Sequence, residues 1–479
     1  MYIRPDRACS KASVPRSFPW SRVPQLSIST LALIALAGCQ SMRPPETNTE
    51  SVASTAAGLS EPITFQIEGA SVDEPGDADT LTFAEAVKLS VTTDPGVQAA
   101  LARVRIALAD AKQARLLPNP ILNLAIRFPE GGGKPVIEAS LAQDLISILK
   151  IPRQSSAADN RLRQASAAGI TAVIDAVAEV QERYVSIQAL EQLLPVFEQR
   201  RMLVSKAVDL ANARLTAGEG IREDVAVLST QRVELEVEIA ETKQELRDER
   251  LRLARLIGRP SSAAAWKLEP WTPPALTNTA ETAWIEAALR SRPEIQERSW
   301  ALAALGDDLV LTRLLPFDGT SAGVSAERDG PWGTGPEVSI PIPIFDMGQA
   351  RSERITAEQI EARHELVQVK RQVIEDVRRS WESFAQTREN VRRVRQELVP
   401  LQEQRRSLAD AAFRAGQTDV TALFLAEQDL RAAQAKAVDL DRKTAIAGIR
   451  LQRAVGGPGP AMALATAASN DMTAPFPGK

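Results

Sequence analysis

From Val173 the apolar positions Val177, Val180, Tyr184, Ile187, Leu194, Phe197, Val204, Val208, Ala211 and Leu215 advance by threes, fours or sevens. Ile355, Ala362, Leu366, Val369, Val373, Val377, Trp381, Phe384, Val391 and Leu398 do the same further on. That spacing places one apolar stripe along a helix and predicts a coiled-coil seam. A helix from Arg351 to Ala415 would be about 98 Å long at ~1.5 Å per residue. Each rod ends at an Ala-Gly pair, Ala217-Gly218 or Ala415-Gly416, after which a return helix runs to Gly258 or Gly456. Glycine reaches the left-handed conformation that ends a helix without steric cost. Pro195 and Pro400 lie inside the rods and predict local bends or unwinding. A further helix precedes each rod, Phe83 to Leu117 broken near Pro95 and Ala283 to Leu315 broken near Pro293, with Pro118 and Pro316 stopping them. Between helix and rod lie two strand candidates, Ile121 to Phe128 and Val136 to Leu145, then Ser321 to Glu327 and Glu337 to Ile344. Gly/Pro-rich turns join them, the second over Arg328 to Pro336.

These elements come twice because the sequence does. Pro95 and Pro293, Arg115 to Pro118 and Arg313 to Pro316, Ala217-Gly218 and Ala415-Gly416, and Leu253 to Gly258 and Leu451 to Gly456 are all 198 positions apart. Val173-Ile174, Glu182 and Tyr184 match Val373-Ile374, Glu382 and Phe384 at a separation of 200. A shared register over so many positions marks an internal duplication, with copies at 81–275 and 280–458. The fold expected is mainly α with a small β part. Residues 39–80 and 459–479 are polar or rich in Gly, Pro and Ala and read as poorly ordered flanks.

Composition narrows the chemistry. One histidine, His364, and two cysteines, Cys9 and Cys39, exclude His/Cys metal clusters and a Cys-His nucleophile. His364 sits between Arg363 and Glu365 on a solvated rod face. Gly131-Gly132-Gly133-Lys134 lacks the spacing and the Ser/Thr of a phosphate loop and reads as a turn. A net charge of -4, with basic and acidic residues interleaved, gives no attraction to nucleic acid. No cofactor is implied. Absence of Gly-x-Ser-x-Gly and His-Glu-x-x-His disfavours a hydrolase. At the N-terminus, Arg4 to Arg22 supply a basic lead and Leu26 to Ala37 an apolar run too short to span a bilayer. The run ends in Leu36-Ala37-Gly38-Cys39, which resembles a bacterial lipoprotein signal; residues 1–38 are then removed and Cys39 is acylated. Gln40 in the next position resembles lipoproteins sent on to the outer membrane.

Four strands cannot close a membrane barrel, since the smallest known need about eight, and an open edge is not viable in lipid. Either the strands lie outside the membrane or at least two chains share one barrel. Leu81 to Ala86, Pro343 to Arg351, Ala213-x-Leu-x-Ala217-Gly218 with Asp224-Val225, and Ala411-x-Phe-x-Ala415-Gly416 with Asp419-Val420 together resemble the TolC-like outer membrane efflux proteins, lipoprotein branch included. The resemblance covers the chain from Leu81 to Gly456 and rests on order, duplication and spacing. It implies a homotrimer in the outer membrane of a Gram-negative bacterium, lipid-anchored, with four strands per protomer in one twelve-stranded β-barrel. The helices would form a periplasmic α-barrel. It also implies passive export driven by an inner-membrane pump, of the resistance-nodulation-division type or in type I secretion, through a periplasmic adaptor. The alternative of a coiled-coil adaptor lipoprotein fits less well, because an adaptor has one hairpin and this chain has two.

Within that family the hairpin ends point at the adaptor, making Ala217, Gly218, Ala415 and Gly416 the expected docking tip. Asp419 and Asp224 follow the breaks, where a carboxylate caps a helix. Alternatively, three copies of one carboxylate around a threefold axis would form an acidic ring at the tunnel end. Ala422 and Leu425 stand where pore-constricting aspartates would be expected, a departure from the family pattern. Trp332, Phe345 and Phe128 suit the lipid headgroup level or serve as isolated packing aromatics. For the N-terminus, Cys39→Ala should leave an unprocessed or unlipidated precursor, read by mass spectrometry; an unmodified Cys39 within an intact wild-type chain would contradict the lipoprotein reading.

Overall fold

A computed structural model describes residues 80–458, except 129, 131, 133, 273–275, 277–279, 329 and 330, together with Ser54, Ile63 and Phe65. The expected signal sequence, Cys39, most of the 39–80 leader and the 459–479 tail lie outside the described residues. The element order is β1 (Thr80–Leu81), α1 (Phe83–Thr93), α2 (Pro95–Gln113), β2 (Ile121–Arg127), β3 (Val136–Asp144), α3 (Leu145–Thr216) and α4 (Arg222–Leu256). It continues with β4 (Lys267–Leu268), α5 (Glu281–Ser291), α6 (Pro293–Leu314), β5 (Ser321–Arg328), β6 (Trp332–Ser339), α7 (Gln349–Arg393), α8 (Val399–Arg414) and α9 (Val420–Val455). The same succession thus occurs twice, mainly helical with a small sheet part, as expected.

Local chemistry explains the breaks. Thr82 caps α1 through its hydroxyl, which accepts the Glu85 N–H at 3.1 Å. Asp94 caps α2 by accepting from the Val97 N–H at 2.9 Å, and Pro95 takes the first helical position, where its missing N–H costs nothing. The 72-residue α3 is about 108 Å long at ~1.5 Å per residue. It contains Pro195 without interruption, so the unwinding allowed for there does not occur. At Pro400 that expectation holds. Residues Val394–Leu398 form a π segment between α7 and α8, with the Val399 N–H bonded to Val394 O. The wider turn accommodates the ring, which would otherwise meet the carbonyl four residues back.

One strand differs from expectation. The final strand is Trp332–Ser339 rather than Glu337 to Ile344, because Gly333, Gly335 and Pro336, read as turn residues, lie within it. Proline is tolerated there because β6 is an edge strand, whose outward side has no ladder partner among the described residues. The sheet is antiparallel in the order β2-β3-β5-β6.

The core gathers where helices of one copy meet. Leu81, Val87, Val91, Val97 and Leu101 pack with Val173, Val177, Tyr184, Leu253 and Ile257. The equivalent cluster in the second copy joins Trp284, Ala288 and Ile295 to Val373, Val377, Leu451 and Val455. A short parallel sheet, β1 with β4, closes over the first cluster and is absent from the sequence reading. Tyr184 secures it: its fully buried hydroxyl lies 2.9 Å from Leu81 O and 3.0 Å from Glu269 O. Its ring stands edge-on to Phe83 and Trp271, themselves stacked at 3.9 Å. Tyr184→Phe should lower unfolding stability by about 1–2 kcal/mol through loss of this buried hydrogen bond, measured by denaturant titration. Burial pushes the Tyr184 hydroxyl up to about 12 from its ordinary 10.0. A folded value above the unfolded one means stability is retained below the unfolded value and lost as pH rises between the two. The wild type should therefore lose stability from about pH 10 to about 12, and Tyr184→Phe should remove this component of the loss.

Candidate functional site

The sheet separates its side chains by polarity. Cross-strand partners share a face, and residues two apart share one as well. The register therefore groups Leu122, Leu124 and Ile126 with Ile137, Ala139 and Leu141, with Val324 and with Trp332, Thr334, Pro336 and Val338. The opposite face carries Asn123, Arg127, Glu138, Ser140, Ser325, Glu327 and Glu337, with Ile121 and Val136 among them, while Arg328 lies on the first face beside Trp332 at the hairpin end. On the opposite face Arg127 donates to Glu138 at 2.8 Å and Asn123 to Ser140 at 3.4 Å. Large apolar side chains of the first face, Leu122, Leu124, Ile126, Val324 and Val338, are exposed. Phe128 and Trp332 stand at the hairpin end and Phe345 in the irregular segment between β6 and α7, all three exposed. Arg328 lies over the Trp332 ring at 5.8 Å. No helix among the described residues is long and apolar enough to cross a membrane.

At the far ends of the rods both hairpins turn in the same way. Gly218 has φ +79° and Gly416 φ +69°, and added Cβ atoms at either would meet nothing within 4 Å. The Gly218 N–H reaches Leu215 O and the Glu219 N–H Arg214 O, at 3.1 and 2.9 Å; the Gly416 and Gln417 N–H groups reach Phe413 O and Ala412 O, both at 2.9 Å. These paired bonds are a Schellman motif, which satisfies the last helical carbonyls and fixes the glycine conformation. Ala217 and Ala415 are the preceding C-cap residues.

The two acidic candidates have different positions. Asp419 is the N-cap residue of α9, but its carboxylate makes no capping bond into the first turn beyond the adjacent Val420 N–H. Instead it pairs with Arg214 of the first hairpin and accepts from the Thr421 hydroxyl at 3.1 Å. Desolvation pushes its carboxyl up, but Thr421, Arg214 and the Val420 N–H outweigh that and hold it below the usual carboxylate range. Asp224 is not a cap: α4 begins at Arg222 after Ile221, leaving Asp224 in the first turn. A negative charge there is favoured by the helix dipole. Both aspartates line one cleft of about 440 Å³ with Arg214, Glu223 and Thr421. Leu425 lines it as well. Sequence reading missed Arg214, the link between the hairpins; its position four residues before Gly218 carries no distinguishing pattern. His364 is exposed. No metal-binding cluster occurs among the described residues.

Residues 284–457 match the family described as outer membrane efflux protein. The fold is similar to the outer-membrane channel OprN, at 18% identity and a TM-score of 0.64 over 79% of this chain and 90% of that one. It is likewise similar to the outer membrane protein VceC from Vibrio cholerae, at 16% identity and 0.63 over 78% and 96%. The MtrE outer membrane channel of Neisseria gonorrhoeae, in its open state, aligns at 16% identity and 0.61 over 83% and 96%. No curated protein is significantly similar in sequence.

Because Arg214 and Asp419 are both well exposed, their ion pair should contribute less than about 1 kcal/mol. A lowered carboxyl contributes stability above its unfolded value and loses it as pH falls through the folded one. Asp419→Asn should accordingly leave the unfolding midpoint almost unchanged at neutral pH while removing the link at the hairpin ends, seen as greater protease sensitivity at Ala217 to Ile221. Unchanged cleavage there would contradict the link.

Proposed function

We propose, from the premise that the chain is a TolC-like outer membrane efflux protein by the family domain of its second copy and by its whole fold, that it is the outer-membrane channel subunit of a tripartite efflux system. The observation that carries this reading is the sheet. One mainly apolar and one mainly polar face suit a wall between lipid and water, and two edges unpaired among the described residues require pairing with further strands. Three chains would contribute twelve strands to one barrel. Strands of 7, 9, 8 and 8 residues approach the roughly 9–11 that cross a bilayer when tilted.

On this reading the rods descend into the periplasm as a helical tunnel, acylated Cys39 adds an anchor, and export is passive. Energy comes from an inner-membrane pump, of the resistance-nodulation-division type, reached through a periplasmic adaptor. Ala217, Gly218, Ala415 and Gly416 form the docking tip, supported by their open surroundings and matched geometry. Asp419 and Asp224 supply an acidic ring around the tunnel end, with Asp419 held by Arg214. Catalysis has no part in this mechanism.

Detergent-extracted protein should be trimeric by light scattering, with helix far exceeding strand in its circular dichroism; a monodisperse monomer would contradict the shared barrel. Gly416→Val introduces strain at a positive φ worth about 1 kcal/mol or more, which long packed rods should survive. It should leave amount and trimer nearly unchanged while abolishing export and adaptor cross-linking. Normal export at wild-type abundance would contradict the docking assignment.

A further inference from the structure

The strand ladder assigns each paired residue to one face of the sheet, and the charges are distributed unequally. Arg127, Glu138, Asp144, Glu327 and Glu337 all lie on the polar face. Arg328 is the one charged residue of the described strands on the apolar face. Its row, the last before the hairpin end, reads Ile126, Ile137, Arg328 and Trp332 across the four strands. Arg328 is exposed. Its acidic neighbour Glu327 belongs to the other face, and on its own face the guanidinium lies over the Trp332 ring at 5.8 Å, within cation–π range.

An arginine on a lipid-facing surface is costly at the bilayer midplane and nearly free at the boundary with water. The extent of apolar exposure decides which of these Arg328 meets. Toward the rods, exposure runs on past the ladder through Ile340, Ile342 and Ile344, which are 62%, 80% and 71% exposed. Toward the hairpins it stops at the row of Arg328, with Trp332 and Phe128 exposed at the same end. Tryptophan settles at the headgroup level, where an amphipathic ring is half in hydrocarbon. A cation stacked on that ring is held at the same level, on the side of the bilayer remote from the rods.

We infer that Arg328 and Trp332 form a binding site, on the outer wall of the barrel, for the phosphate-bearing headgroup of a lipid in the leaflet remote from the rods. In a Gram-negative outer membrane that lipid is a phosphorylated glycolipid, lipopolysaccharide. The guanidinium offers N–H donors in a rigid fork that matches two phosphate oxygens. The indole beside it covers the upper part of the acyl chains with its apolar body and keeps its N–H toward the headgroup. At the edge of the hydrocarbon the attraction between guanidinium and phosphate is screened less than in open water. Arg127, at the same end of the sheet, cannot substitute: it faces the opposite side and donates to Glu138.

This site rests on the channel reading, which puts the apolar face in lipid, and the test separates the two. Detergent-extracted full-length protein is mixed with diphosphoryl lipid A, and the lipid retained on each trimer is counted by native mass spectrometry. Wild type should retain one lipid A per chain. Arg328→Ala should weaken retention about tenfold, through loss of one charge-assisted contact, and Arg328→Lys should keep part of it. Arg127→Ala, which removes a cation from the same end but from the other face, should bind as wild type does. Equal retention by Arg328→Ala overturns the site, and so does an equal loss in Arg127→Ala. Displacement of the lipid by an equal amount of inorganic phosphate would mark a general anion site and overturn the lipid assignment. Any of these results on a trimeric particle leaves the channel reading intact, whereas a monomeric wild-type particle overturns both.

Discussion

An antiparallel sheet with both outer strands unpaired is incomplete on its own. Each unpaired backbone group in hydrocarbon costs several kcal/mol, and in water such an edge invites further pairing. The sheet β2-β3-β5-β6 also exposes Leu122, Leu124, Ile126, Val324 and Val338 on one face. Lipid outside, water inside and strands from other copies at both edges satisfy all of these demands together. In the proposed channel the position of every helix follows from that closure, since α3 leaves β3 with no intervening residue and α7 follows β6 after a short irregular segment.

The rods obey a related constraint. A long amphipathic helix draws its stability from the neighbour that covers its apolar stripe rather than from intrinsic propensity. The large buried clusters lie where four helices of one copy converge, around Tyr184 and around Trp284. Toward the hairpins the contacts thin to a small cluster around Val204, Ala207 and Leu228 that includes Phe424 of the second copy. Schellman glycines, together with the Arg214–Asp419 pair, fix the hairpin ends there. A tip held by hydrogen-bonded turns and one exposed ion pair can change partners without disturbing the clusters above it.

Much of this was legible because it depends on periodicity. The three-four spacing from Val173 and from Ile355 specifies the rods, and repetition at 198 positions specifies the second copy before any contact is known. What escaped was set by tertiary context. Gly333, Gly335 and Pro336 have the composition of a turn, yet they form an edge strand because β5 pairs with them from one side only. Pro195 is absorbed within α3, whereas Pro400 follows a π segment. Asp224 follows a glycine break as Asp419 does, but the helix begins two residues before it, which moves it from the cap into the first turn. The β1–β4 pairing joins residues nearly two hundred positions apart through two dipeptides too short to leave a pattern.

Backbone amide hydrogen exchange of the detergent-extracted protein tests closure most directly, because it reads the edge strands themselves. If neighbouring copies complete the barrel, amides of Ile121–Arg127 and Trp332–Ser339 that face away from β3 and β5 should be protected as strongly as those of the inner strands, Pro336 excepted. Rapid exchange confined to those outward amides, with β3 and β5 protected, would show that the edges are open and would contradict the shared barrel.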